Sequence, residues 1–257
     1  MWEATGPDGQ RIWLLGTIHS LPDGLEWRTP AIEQVIADTD VLLVEIANLG
    51  ARQEAGEAFE TRAYDTELAP LLDRVPQERR ATLATSLDRA GLDAEALIHT
   101  DTWAVALQLG NAIRCANPAN GVDRALLREL DDARSLESYG QQFGAFDGLP
   151  DHAQIDLLLS VAEEQDCSAS EARTEAWLTG DIATLETRIL AGFRGNVVLK
   201  AALVDARNAH YVDQIVEYRA LDTDADLLVA VGAGHMLGDT GLPALLTARG
   251  YKVRRIQ

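Results

Sequence analysis

Long apolar runs, paired cysteine motifs, basic tracts and flexible linkers are all missing from this chain of 257 residues. No stretch approaches the ~18 consecutive apolar residues that a membrane span requires, so no integral membrane segment is expected. Residues 1–10, MWEATGPDGQ, lack a basic, apolar export signal. The expected location is therefore the cytoplasm for the chain as written, or the periplasm if a leader has been removed. Cys115 and Cys167 are the two cysteines. They allow one disulfide and no metal-binding Cys pair, and their composition predicts two buried thiols packed as small hydrophobes. Basic residues number 22 against 41 acidic ones, a formal charge of −19 that repels nucleic-acid backbones and anionic membrane surfaces. The familiar catalytic signatures HExxH and GxSxG are absent. VGAGHMLG carries glycines at 232, 234 and 238, but the spacing is not GxGxxG and no acid follows Asp239 to hold a ribose, which excludes a dinucleotide loop. Trp13, Trp27, Trp103 and Trp177 are not interleaved with basic residues, so packing accounts for them better than base stacking.

What is present is a chain rich enough in apolar residues, at 47%, to bury a substantial core. RIWLLG ends at Gly16 and reads as a buried strand. Thr29-Pro30 reads as an N-cap with proline in the first turn, starting a helix through about Ala37. The continuous apolar run Val41–Val44 predicts a strand covered on both faces, which favours parallel pairing with helical crossovers. From about Thr66 to Asn111 the spacing turns helical, with Leu68, Leu71, Leu72 and Val75 on one face. Further helices follow through 219, with glycine and aspartate at Gly180-Asp181 ending one and capping the next. ARSLESY is a short strand candidate between them. DLLVAVG and YKVRRI return to strand character near the end. The pattern predicts a single domain over 1–257, of mixed α/β class: a largely parallel central sheet built from both chain ends and flanked by helices, with a helix-rich middle of about 66–220 forming a lobe over the sheet rim. Apolar helix faces leave a homo-oligomer open.

The sheet pattern also suggests a site. An apolar run ending in Gly-x-x-His occurs twice, at Gly16–His19 and Gly232–His235, and Glu45 stands at the end of the strand TDVLLVE. Loops beyond the carboxyl ends of parallel strands are where α/β proteins place chemistry. If these strands are neighbours, His19, Glu45 and His235 converge, and two imidazoles with one carboxylate suit a divalent ion, with manganese, cobalt, zinc and iron not distinguished. Arg207 and Asn208 are the next polar pair that could serve the rim, the guanidinium on a carboxylate or oxyanion and the amide as a ligand. Glu137 and Gln141, four apart in SLESYGQQ, would share a helix face if the helix extends that far.

LLGTIHSLP, VEI, GVDRALL, SLESYGQQ, WLTGDIATLE, the RN pair and VAVGAGHMLGDTGLPALLTARGYKVRRI occur in an order that resembles the TraB/GumN family, which includes the Tiki proteins. The resemblance spans nearly the whole chain. It places the family's two histidines on His19 and His235, its strand-end glutamate on Glu45, its arginine-asparagine pair on Arg207 and Asn208, and its polar segment on Glu137 and Gln141. Tiki proteins are described as metal-dependent proteases. The resemblance thus implies a divalent-metal hydrolase of peptide or ester bonds acting on a peptide or small-molecule substrate. In that scheme His19, Glu45, His235 and Asn208 are the metal ligands, Arg207 stabilises the oxyanion, and Glu137, accompanied by Gln141, is the reserve general base. Haem or small-ligand binding without turnover in the same pocket is the alternative. Two departures from the family pattern stand out. Ala206 occupies a position that is often acidic, with Asp205 one residue earlier, and many members carry an export signal.

Overall fold

A computed structural model of the chain describes residues 1–7, 9–164, 166–221 and 224–257. Six strands form one sheet: β1 (Trp2–Thr5), β2 (Arg11–Thr17), β3 (Val41–Val44), β4 (Ala133–Ser135), β5 (Leu227–Gly232) and β6 (Lys252–Arg255), in the order β4-β3-β5-β2-β1-β6. β4, β3, β5 and β2 run parallel, and β1 is antiparallel to both β2 and β6. The fold is mixed α/β with a largely parallel sheet and a helix-rich middle. β1 carries no apolar run long enough to announce it in the sequence; β2 and β6 recruit it by pairing on either side.

The pleat explains the continuous apolar runs. Ile12, Leu14, Val41, Leu43, Leu227, Val229 and Val231 face a layer containing Tyr211, Val212, Ile215, Leu242 and Leu246. Trp13, Leu15, Leu42, Val44, Leu228 and Ala230 face the other way, against Ile32, Val35, Ile36, Val122 and Leu126. Alternate side chains thus enter opposite cores, and no position on β3 or β5 is left for water.

The helix Pro30–Asp38 begins as its sequence predicts, with the Thr29 side chain accepting from the Ile32 N–H. Asp181 likewise caps Ile182–Gly192, and Gly180 ends the preceding helix at φ +66°. The segment after Thr66 departs from the helical expectation: Leu71–Asp73 is a single 3-10 turn. Pro70 and Pro76, which lack N–H donors, flank it and hold the chain out of an α-helix, although Leu71 and Val75 still enter a core with Leu83, Leu87, Val105 and Leu158. β4 lies within the helix-rich span, so residues 66–220 also contribute an edge to the sheet.

The cysteines correct a second expectation. Cys115 and Cys167 are joined in a disulfide with a Cα separation of 5.6 Å, and neither is a buried thiol. Among the described residues no helix is long and apolar enough to cross a membrane.

Candidate functional site

Parallel pairing puts four strand ends on one rim. Thr17 pairs with Gly232 across β2 and β5, and Val44 pairs with both Ala230 and Ser135. Just beyond these ends, in sheet order, come Glu137 after β4, Glu45 after β3, His235 after β5 and His19 after β2. Sequence reasoning anticipated three of these strand ends; the fourth rests on the short β4.

Glu45 is the hub. Its Oε2 accepts from Arg207 Nη2 at 2.6 Å and its Oε1 accepts from the Gly232 N–H at 2.8 Å. The same Oε1 lies 3.9 Å from His19 Nε2 and 3.8 Å from His235 Nε2. Both imidazoles therefore aim their Nε2 atoms at one oxygen. Each is held from behind through Nδ1: His19 by Asp123 Oδ2 at 2.7 Å, and His235 by Asn208 Oδ1 at 2.6 Å. Thr17 donates to the other Asp123 oxygen at 2.7 Å. Asn208 has its amide orientation fixed, because Nδ2 donates to the carbonyls of His235 and Thr240. Its Oδ1 must then accept from His235 Nδ1–H.

The electrostatics separate the two histidines. Burial drives the His235 pKa down to about 4, against the pull of the Glu45 charge, so the ring is neutral near pH 7. With Nδ1 protonated, its Nε2 points a lone pair at Glu45. Burial also opposes a charged His19, but the hydrogen bond and charge of Asp123, with the charge of Glu45, outweigh it and raise its pKa to about 9. The His19 side chain is 65% exposed, so water screens that gain. Burial would raise the Glu45 carboxyl, yet the charges of His235, His19 and Arg207 and the Gly232 N–H draw it down to about 2.

Arg207 is committed on every side. Nε and Nη2 hold Glu137 at 3.1 and 2.5 Å, Nη1 donates to the Leu203 carbonyl at 3.0 Å, and Nη2 also meets Glu45 and the Tyr211 hydroxyl. A π-helical stretch, Ala201–Asp205, precedes the helix Ala206–Leu221 that carries Arg207, Asn208 and Tyr211. The wider turn resets the phase of the side chains that follow it. Asp205 lies in that stretch and accepts from the Thr240 hydroxyl at 2.7 Å, while the Thr240 carbonyl accepts from Asn208 at 2.7 Å. The Asp205 carboxylate thus supports Asn208 through Thr240.

Four sequence expectations change in detail. The Asn208 amide is engaged by His235 and Thr240, which makes it a support for that ring. Arg207 directs Nε and Nη2 to Glu137, Glu45 and Tyr211, and Nη1 to the Leu203 carbonyl. Glu137 precedes the helix Tyr139–Asp147 because Ser138 caps it, and its carboxylate is taken by Arg207 and Gln142. The Gln141 side chain completes the capping box with Ser138 and lies outside the site. Gln142, one residue on, is the one that reaches Glu137, at 3.1 Å. Sequence reasoning missed Asp123, Thr17 and Tyr211. An acid between apolar Val122 and Leu126 in GVDRAL, and a tyrosine one helical turn beyond Arg207, are the signals that could have found two of them.

A cleft of about 460 Å³ opens beside the rim, lined by His19, Glu45, Leu49, Asp123, Tyr139 and Gln142 among others. Two glycines shape it. A Cβ on Gly232 would stand 3.1 Å from Glu45 Oε1 and 3.2 Å from His19 Nε2, and one on Gly121 would overlap the His19 carbonyl. Among the described residues no group of three or more His, Cys, Asp or Glu side chains is set closely enough to hold a metal ion as it stands.

A family model described as the TraB/PrgY/gumN family matches residues 1–255. The chain belongs to this family. No curated protein and no solved structure matches it. Membership in the TraB/PrgY/gumN family agrees with the ordered motifs, and it carries no link to the Tiki proteins in particular.

Proposed function

We propose that this TraB/PrgY/gumN protein is a divalent-metal-dependent hydrolase of peptide or ester bonds, with His19, Glu45 and His235 as the metal-holding groups. One observation carries the proposal: the lone pair of neutral His235 Nε2 faces the Glu45 carboxylate oxygen at 3.8 Å, with His19 Nε2 at 3.9 Å from the same atom. The His235 Nε2 lone pair and the Glu45 oxygen favour a cation beside them, which is the His19 proton until a metal ion displaces it. The donor set fits several first-row ions. Ligand atoms about 2.0–2.1 Å from a tetrahedral ion lie roughly 3.3–3.4 Å apart, so each imidazole Nε2 needs to close on Glu45 Oε1 by about 0.5 Å. The His19 ring, whose side chain is 65% exposed, is the member able to move, its backbone being held by the Gly121–Val122 segment. Nδ1 anchoring by Asp123 and Asn208 is the arrangement that orients imidazole ligands and raises their basicity.

A bound divalent ion would lower the pKa of a water it holds and polarise a carbonyl. The chain's own groups do the rest. Asp123 and Asn208 keep both Nε2 atoms turned to the rim, Arg207 keeps Glu45 ionised and aimed, and the apolar cleft wall limits water around the scissile carbonyl. Arg207, Glu137 and Asn208 are positioning residues in this scheme.

The Cys115–Cys167 disulfide, with Cys115 exposed, supports work in an oxidising compartment over the reducing cytoplasm. The test is elemental analysis after reconstitution with manganese, cobalt, zinc or iron, together with peptide and ester hydrolysis, in the wild type and in H19A/H235A. Stoichiometric metal and chelator-sensitive turnover in the wild type alone is the expected result. Equal metal content in both proteins would sink the ligand assignment. Haem-induced absorbance with no metal-dependent turnover would favour a binding protein instead.

A further inference from the structure

The cleft has a charge balance that the trio does not use. Its apolar wall includes Val44, Ile46, Leu49 and Pro118, and its charged members beyond the two acids and His19 are Arg114 and Arg124. Both acids are already committed: Glu45 to Arg207 and the Gly232 N–H, Asp123 to His19 and Thr17. The two arginines are not. The Arg114 side chain donates to the neutral Asn111 amide oxygen. The Arg124 guanidinium makes no hydrogen bond or ion pair among the described residues; only its carbonyl is engaged, by Arg128 Nε at 3.0 Å. In a chain carrying −19, uncommitted positive charge on a cleft wall beside apolar side chains is a feature that needs a counterpart.

Arg124 is also held in fixed relation to His19. It directly follows Asp123 in the helix Val122–Leu126, and the Val122 N–H donates to the Ile18 carbonyl at 3.0 Å. Gly121 packs against the His19 carbonyl so closely that a Cβ there would overlap it. The helix that presents the guanidinium is thereby locked to the loop that presents the imidazole.

We propose that Arg124, assisted by Arg114, binds an anionic group on the substrate, so that the cleft selects short apolar acyl compounds bearing an oxyanion, with a carboxylate as the first case. The assignment of a reaction to such compounds rests on the hydrolase reading above; the binding does not. A planar guanidinium with free donors matches a carboxylate in two parallel hydrogen bonds, and the wall of Ile46, Leu49 and Pro118 takes the apolar part. A volume of about 460 Å³ lies in the range of small-molecule pockets, which suits one or two residues of a peptide.

The experiment titrates the whole metal-free protein with two probes of similar size, anionic N-acetyl-leucine and neutral N-acetyl-leucinamide, by calorimetry at pH 7. Inorganic phosphate is a third titrant. N-acetyl-leucine should bind about tenfold more tightly than the amide, the scale expected of one charge-assisted contact. That preference should fall in R124Q and vanish in R114Q/R124Q, with the thermal midpoint unchanged because both side chains are exposed. Displacement of N-acetyl-leucine by phosphate at similar concentration supports a general oxyanion site, and displacement by carboxylates alone supports a carboxylate site. Equal affinity for the two leucine probes, no binding of either, or a preference that survives in R114Q/R124Q would overturn the proposal. Anion binding without metal-dependent hydrolysis would remove only the reaction. Metal-dependent hydrolysis indifferent to substrate charge would remove only this inference.

Discussion

Arg207→Met isolates what the buried ion network contributes. The Glu137 side chain is 2% exposed and that of Glu45 11%, and Arg207 bridges them. Methionine fills much of the same volume and removes the charge. The two carboxylates fare differently. Glu45 keeps the Gly232 N–H and the nearby imidazoles, while Glu137 keeps the Gln142 amide and the Tyr211 hydroxyl but loses its cation. Breaking a buried pair by removing one partner costs about 3–5 kcal/mol, because the remaining charge is left in a low-dielectric interior. Tyr211 and the Leu203 carbonyl each lose one hydrogen bond as well. Urea unfolding at pH 7 should therefore show R207M destabilised by about 3–5 kcal/mol, with an unchanged slope. The decisive comparison is R207M/E137Q. Removing the stranded charge should make the double variant more stable than R207M by at least about 1 kcal/mol, the non-additivity expected of residues in one network. If R207M loses less than about 1 kcal/mol, or if adding E137Q destabilises it further, Arg207 is not the counter-ion on which these carboxylates depend.

Four further outcomes follow from the same geometry. In G232A, whose backbone at φ −46° suits alanine, folding should change little while metal uptake falls at least about tenfold, since the new methyl stands against Glu45 Oε1 and His19 Nε2; wild-type uptake would refute the close approach. His235 falls from 6.5 unfolded to about 4 folded, so its contribution is complete above 6.5 and lost as pH drops toward 4; H235Q should flatten that acid limb in pH-resolved denaturation. His19 runs the other way: raised to about 9, it contributes fully below 6.5 and loses that contribution as pH climbs through 9, and D123N should abolish this alkaline limb. Reducing the disulfide, whose cysteines are 52 residues apart, or making C115S/C167S, should cost about 4 kcal/mol on the chain-entropy account, and no change in stability would show that the closed loop constrains nothing.

The strands most directly legible in the sequence were those whose burial is two-sided, although the largely exposed β4 and β6 were also legible, in ARSLESY and YKVRRI. β2, β3 and β5 are continuous apolar runs because alternate side chains enter two cores, and that pattern is local. β1 was not legible, since WEAT buries only Ala4 and owes its place to partners at 11–14 and 252–255. Within the site, residues tied to a strand end could be read, because the end of an apolar run marks the rim. Asp123 could not be placed, for its role depends on a helix packing under a loop about a hundred positions earlier in the chain. Gln141 and Gln142 show the limit most sharply. Adjacent glutamines are equivalent on paper, and only the Ser138 cap decides that the first closes the helix end while the second turns to Glu137.

The positions of the donors also tie the site to folding. His19 follows β2 and His235 follows β5, strands that pair along Ile12–Thr17 and Leu227–Gly232 but stand at opposite ends of the chain. The trio therefore does not exist until that long-range pairing is made, and an unfolded chain offers an ion only scattered ligands. A divalent ion that binds the folded form should stabilise it by RT ln(1 + [L]/Kd), about 2.7 kcal/mol at a hundredfold excess over Kd. Because the ion must displace the proton that the Asp123 and Glu45 carboxylates help retain on His19, this stabilisation should grow as pH rises from 6 to 9. The direction distinguishes ligation at His19 from ion binding at surface carboxylates, which are already ionised throughout that range and would give a shift independent of pH. Thermal shifts with each metal at three pH values, in the wild type and in H19A, decide between them: a pH-independent shift, or one that persists in H19A, would place the ion elsewhere.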